Sequence, residues 1–305
     1  MTHSRHPAAG AVVEGSGFRQ GHLLMTSLRR RRPATFSTAA DGFVDAALGS
    51  LGVGDTQSAD FRQGIQRLMH GWGELPVSHG ESRSGGEYFA ANDGAPFELS
   101  VSWRPGGFEA RLLCESADGT PGLLARQASG LALTRRVTAG LSSAAVDRVN
   151  GVVDLFTSRE PHGPFTLMHA VGWNPGAEPG FKLYLNPGVH GPDTAARSVA
   201  RAMDKLGMSR AWAATAETLR SLGIENHLGV LALDLSDSPR ARVKVYAGLP
   251  GCSPQDVEDI ARLSATYRPG RATGAFDAVY GDASPARSPP WPPSRSPPGS
   301  TPPPR

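Results

Sequence analysis

The chain is poor in cysteine, has no long apolar run and carries no large excess of charge. Its two cysteines, Cys114 and Cys252, stand far apart and outside any CxxC or Cys/His spacing. That excludes a disulfide scaffold and a thiolate zinc site, and leaves two indifferent thiols in a reducing compartment as the expectation. No stretch approaches the roughly 18 apolar residues of a membrane span. Arg29 to Arg32 precede Pro33, Ala34, Thr35 and Phe36, which is no apolar signal-peptide core, so a cytoplasmic protein with no membrane partner is expected. Lys and Arg number 31 against 28 Asp and Glu, a net charge of +3. The pI near 9.1 owes much to arginines in the two tails. Internal cations alternate with acids, so no nucleic-acid partner is expected. An Asp-rich DDxxD cluster is missing too, and with it the obvious ligands for Mg²⁺.

What is present is enough for a core. The chain has 305 residues, 39% of them hydrophobic and 19% charged, as in globular proteins. Residues 1–35 lack periodicity and read as a disordered arm, and 281–305 are almost wholly Pro, Ser, Gly, Ala and Arg and read as a disordered tail. The domain is expected over 36–280. Apolar residues at helical spacing predict helices over 37–50, 57–70, 122–138, 143–156, 193–206 and 210–222. Ser142 or Ser143 is a plausible cap for the fourth. Ser253 followed by Pro254 starts another helix. Alternating strands predict three hairpins: 97–103 with 108–115, 165–173 with 181–186, and 228–235 with 242–247. The order is helix, helix, hairpin, three times over, with hairpin starts about 68 and 63 residues apart. Such repeats suit an antiparallel sheet curling round one axis with helices outside.

Two strands carry the chemistry. In Phe181–Asn186, Lys182, Tyr184 and Asn186 share one face, and Phe181, Leu183 and Leu185 the other. In Arg242–Ala247 the polar face is Arg242, Lys244 and Tyr246. Ordinary half-buried strands also show this alternation. Both strands, however, place a cation two residues before a tyrosine. Cations bind phosphate oxygens and aromatic faces stabilise a positive centre, which suits a diphosphate leaving group and a carbocation.

Pro96–Ser102 (PFELSVS), Arg111, His169, Phe181–Pro187 (FKLYLNP) and Arg242–Tyr246 (RVKVY) together resemble the dimethylallyl tryptophan synthase family of aromatic prenyltransferases, in its bacterial indole form. The resemblance spans about residues 37–280. It implies an α+β fold of repeated αββα units, an antiparallel β-barrel (the PT barrel) ringed by helices. Its implied activity is metal-independent transfer of a dimethylallyl group from dimethylallyl diphosphate to the indole ring of tryptophan or a tryptophan-derived acceptor. No cofactor is implied, and the partners are these small molecules. Arg111, Lys182, Arg242 and Lys244 would bind diphosphate, and Tyr184 and Tyr246 would shield the cation. Glu98 would accept the indole N–H. His169, thirteen residues before Lys182, would remove the ring proton.

Alternatives stand beside three of these. Glu98 also fits a solvated edge-strand residue, and Arg111 fits an ion pair with Glu109 or Glu115. His169 shares strand parity with Phe165, Leu167 and Val171, which fits a core histidine equally. Family members usually continue for two more hairpins, so the barrel is expected to be incomplete at its C-terminal side, where the Pro-rich tail also fits an out-of-frame read. A remnant that binds ligand without turnover is therefore a second reading. A third is an interaction protein acting through the RxxPxxP spacing from Arg287 to Pro293.

Overall fold

Six strands form one antiparallel meander in chain order: β1 (Phe97–Arg104), β2 (Gly107–Cys114), β3 (Leu167–Trp173), β4 (Gly180–Leu185), β5 (Leu228–Leu235) and β6 (Val243–Ala247). A computed structural model describes residues 35–77, 88–104, 106–238, 241–264 and 267–281. Apart from Thr35 and Gly281, the expected N-terminal arm and the Pro-rich tail, with its RxxPxxP spacing, lie outside the described residues.

Each hairpin is preceded by two helices. These are α1 (Phe36–Ser50) and α2 (Asp55–Met69), α3 (Leu123–Thr138) and α4 (Ser143–Val152), and α5 (Ala195–Lys205) and α6 (Ser209–Ser221). A fourth pair, α7 (Pro254–Ala261) and α8 (Arg271–Tyr280), follows β6. The periodicity predicts α7 but not α8, whose sequence places only Phe276 inside. Glu258 closes this pair: its carboxylate accepts from Tyr267 Oη at 2.8 Å, Gly270 N at 2.7 Å and Thr273 N at 3.1 Å, covering orphan amides at the start of α8. Ser142 and Ser253 cap α4 and α7 as their positions predict.

The helices lie on one face of the sheet: α1 against β1, α2 and α3 against β3, α4 and α5 against β5. Strand register explains why. Phe97, Leu112, Val171, Leu183 and Leu233 come from successive strands and all point to that side, into one continuous core. Phe61 of α2 stacks on Trp173 at 5.7 Å between ring centroids. Gly64 brings α2 close to β3, because a Cβ there would lie 2.8 Å from Val171 Cγ2.

The result is the expected PT-barrel arrangement as a half-barrel. β1 and β6 are its edges, each paired on one side only among the described residues. The face turned from the helices is left for the site.

Candidate active site

Period-two alternation sends a second set of side chains to the open face: Glu98 and Ser100 from β1, Glu109 and Arg111 from β2, Lys182 and Tyr184 from β4, Asp234 from β5, Lys244 and Tyr246 from β6. The register pairs Ser100 with Arg111, Met168 with Tyr184, Lys182 with Asp234 and Ala232 with Lys244. β3 contributes only Met168, Ala170 and Gly172 to this face.

Gly172 has a spatial reason. A Cβ there would come within 3.1 Å of Glu109 Oε1 and 3.7 Å of Lys182 Cε, so the glycine leaves room for both chains to cross above β3. One end of the face is closed by Phe89 and Ala90, which join Phe165, Met168, Ala170, Tyr184 and Val230 in a second apolar cluster. Phe89 stacks on Phe165 at 5.1 Å. That strap is held from outside the sheet face: Glu115 Oε2 accepts from Phe89 N at 2.9 Å, and Glu115 Oε1 pairs with Arg126 Nε at 3.2 Å.

Charges on the face are interleaved. Arg111 Nε donates to Ser100 Oγ at 3.3 Å, and its guanidinium also bonds Tyr184. Burial pushes the Tyr184 phenol up to about 12, with Arg111 opposing, so the ring stays neutral. Burial also raises the Glu98 carboxyl, against the pull of Arg111 and with some help from Asp93. Lys182 Nζ lies 2.8 Å from Asp234 Oδ1, and Arg242 Nε lies 3.0 Å from Asp234 Oδ2. Burial alone would raise Asp234, but the bonds from Lys182 and Arg242 hold it down to about 2.

The expected site residues thus fall into two groups. Glu98, Arg111, Lys182, Tyr184, Lys244 and Tyr246 share the open face, with Arg242 joined to it through Asp234. Of the two acids named as alternative partners for Arg111, Glu115 serves Arg126. His169 is not with them, but on the other face of β3. It sits opposite Cys114 and Leu183 on the helix-packed face, fully buried. Its Nε2 lies 2.9 Å from Thr134 Oγ1 of α3. That hydroxyl donates its own proton to Gly130 O at 2.9 Å, so Nε2 is the donor and His169 is the neutral Nε2–H tautomer. Nδ1 is buried without a hydrogen-bond partner, and desolvation drives the imidazole down to about 3. These surroundings fit the alternative reading of His169 as a core histidine.

Asp234 is the site residue that sequence reasoning missed. Its signal was a lone carboxylate in Leu228–Leu235, two residues on from Ala232 and eight before Arg242 across a hairpin. Only the pairing shows that it meets two cations.

Residues 75–276 match the family model described as tryptophan dimethylallyltransferase. Among solved structures, 5-dimethylallyl tryptophan synthase from Streptomyces coelicolor, crystallised with DMASPP and Trp, is 26% identical with a TM-score of 0.67, over 82% of this chain and 67% of that one. The 6-dimethylallyltryptophan synthase from Micromonospora olivasterospora is 25% identical with a TM-score of 0.66, over 81% of this chain and 69% of that one. The prenyltransferase PriB is 26% identical with a TM-score of 0.67, over 81% and 67%. With the family model covering well over half of its length, the chain belongs to the tryptophan dimethylallyltransferase family.

Proposed function

We propose that this protein transfers a dimethylallyl group from dimethylallyl diphosphate to the indole ring of tryptophan or a tryptophan-derived acceptor, without a metal ion. The observation that carries the reading is the open face itself, where cations from β2, β4 and β6 stand beside two tyrosines and a partly buried glutamate. Two solved relatives hold a substrate analogue together with tryptophan, DMASPP in one and dimethylallyl thiolodiphosphate in the other.

The chemistry follows from the residues. Arg111, Lys182, Arg242 and Lys244 take the charge that builds on diphosphate as the C–O bond breaks, and both bonding electrons leave with it. The rings of Tyr184 and Tyr246 face the allyl cation and keep water from it. Glu98 accepts the indole N–H, which enriches the ring, and a ring carbon supplies the electron pair for the new C–C bond. Loss of the ring proton restores aromaticity. Because β3 presents only Met168, Ala170 and Gly172 here, candidates to take that proton among the described residues are Glu98 and Glu109, Asp234 being held by Lys182 and Arg242, with the departing diphosphate beside them.

The test is a product assay by mass spectrometry with dimethylallyl diphosphate and a panel of tryptophan, indole and indole dipeptides, in EDTA. A mass gain of one prenyl group is expected on at least one acceptor. Among the described residues β1 and β6 pair on one side only, and a lumen open there would admit water to the cation, which favours a second reading, binding without turnover. Folded protein that binds diphosphate yet yields no product would establish that second reading.

A further inference from the structure

β5 lies between β4 and β6, so Asp234 meets a cation from β4 and another from the residue just before β6. One carboxylate oxygen accepts from Lys182 Nζ at 2.8 Å. The other accepts from Arg242 Nε at 3.0 Å and from the Arg242 backbone N–H at 3.1 Å. Lys182 and Asp234 side chains are 13% and 18% exposed, so this junction is largely withdrawn from water, whereas the Arg242 side chain is 54% exposed. Lysine and arginine are the side chains that lose most rotamer freedom when a ligand fixes them. A carboxylate that orders both before the ligand arrives removes that loss from the binding step.

We propose that Asp234 is the positioning residue of the diphosphate site, holding Lys182 and Arg242 where their other N–H donors meet the diphosphate oxygens. The inference rests on reading the cationic face as a diphosphate site. Asp234 does not touch the reacting atoms and acts through the two cations. Its own negative charge opposes the ligand, so the sign of its effect is informative. A carboxylate that merely occupied the site would, when neutralised, leave diphosphate bound more tightly. A positioning carboxylate leaves it bound more weakly.

The experiment titrates inorganic diphosphate into the full chain by calorimetry, for wild type, Asp234→Asn, Asp234→Glu, Lys182→Met and the double variant of Asp234→Asn with Lys182→Met, with thermal melts of each. Asp234→Asn is expected to bind diphosphate about tenfold more weakly, which is ~1.4 kcal/mol. Its melting temperature should stay within a few degrees of wild type. Asp234→Glu, which keeps the charge on a longer stem, should recover part of the affinity. The losses of Asp234→Asn and Lys182→Met should be less than additive in the double variant, because one acts through the other. In turnover, KM for the prenyl diphosphate should rise while KM for the aromatic acceptor holds. Equal or tighter diphosphate binding by Asp234→Asn overturns the inference and leaves the diphosphate reading intact. So does a weakening of both substrates alike together with early melting, the mark of a strand staple. Wild type that binds no diphosphate overturns the reading of the face and the inference with it.

Discussion

Lys182 and Asp234 face each other across the β4–β5 pairing and close an ion pair of 2.8 Å on the open side of the sheet. The same carboxylate reaches Arg242, so three of the most polar residues of the face are one unit. Replacing Lys182 by Met should therefore do two things. Stability should fall by about 1–2 kcal/mol, the worth of a charge-assisted hydrogen bond that is partly covered, because Arg242 still partners Asp234. Diphosphate affinity should fall at least tenfold. Urea melts and calorimetry read the two separately.

His169→Leu distinguishes a core imidazole from a base. The folded-state pKa, near 3, lies below the ordinary 6.5, so the unfolded chain binds the extra proton between those values. Stability is then whole above pH 6.5 and is lost as pH falls toward 3, on the order of 5 kcal/mol at full titration. Leu should flatten that slope, since Thr134 keeps its bond to Gly130 and no orphan Nδ1 remains. Prenyl transfer should change by less than about threefold, whereas loss of a general base costs ~10²–10⁴-fold.

Glu98→Gln should lower kcat/KM by about 10²-fold, because a neutral amide is a poorer acceptor for a partly charged N–H. The raised carboxyl also sets an acid limb. Glu98 protonates at a pH above the ordinary 4.5, so wild-type activity should fall on acidification before an exposed glutamate would titrate. A pH–rate profile of the Gln variant should lack that limb.

Gly64→Ala tests the approach of α2 to β3. The new methyl would stand 2.8 Å from Val171 Cγ2 with Pro179 Cβ at 3.7 Å, in a buried contact. Overpacking costs about 1–3 kcal/mol, more than the gain of about 1 kcal/mol in helix propensity. The midpoint of urea unfolding should drop, and adding Val171→Ala should restore part of it.

Glu115→Ala should release the strap over the closed end of the face. It leaves Arg126, with a side chain 8% exposed, without its carboxylate, and Phe89 N without its acceptor. A loss of about 3–5 kcal/mol is expected from breaking a buried pair. Hydrogen exchange should localise the added opening to residues 88–96.

Much of this was readable from residue order. Helices and hairpins repeat in the expected sequence because each has its own period, 3.6 or 2, and its own punctuation at Ser142, Ser253 and the Gly/Pro turns. Lys182 and Tyr184, or Lys244 and Tyr246, had to share a face, since alternation along one strand is local geometry. What alternation does not say is which face of a strand meets which face of the next, because a one-residue change in a turn exchanges them. His169 was placed in the site by the family resemblance, which expects a base about thirteen residues before Lys182. The turn from Trp173 to Gly180 sets a register that pairs Lys182 with Ala170 instead and turns His169 toward Thr134. Asp234 shows the same limit from the other side. Its meeting with Lys182, fifty-two positions earlier, exists only because β4 and β5 lie edge to edge. The sequence by itself determined the six strands, the helices from α1 to α7, their order and the polarity of each strand face. The tertiary structure alone decided which faces look inward together, because cross-strand register is a property of the assembled sheet and not of any strand in it.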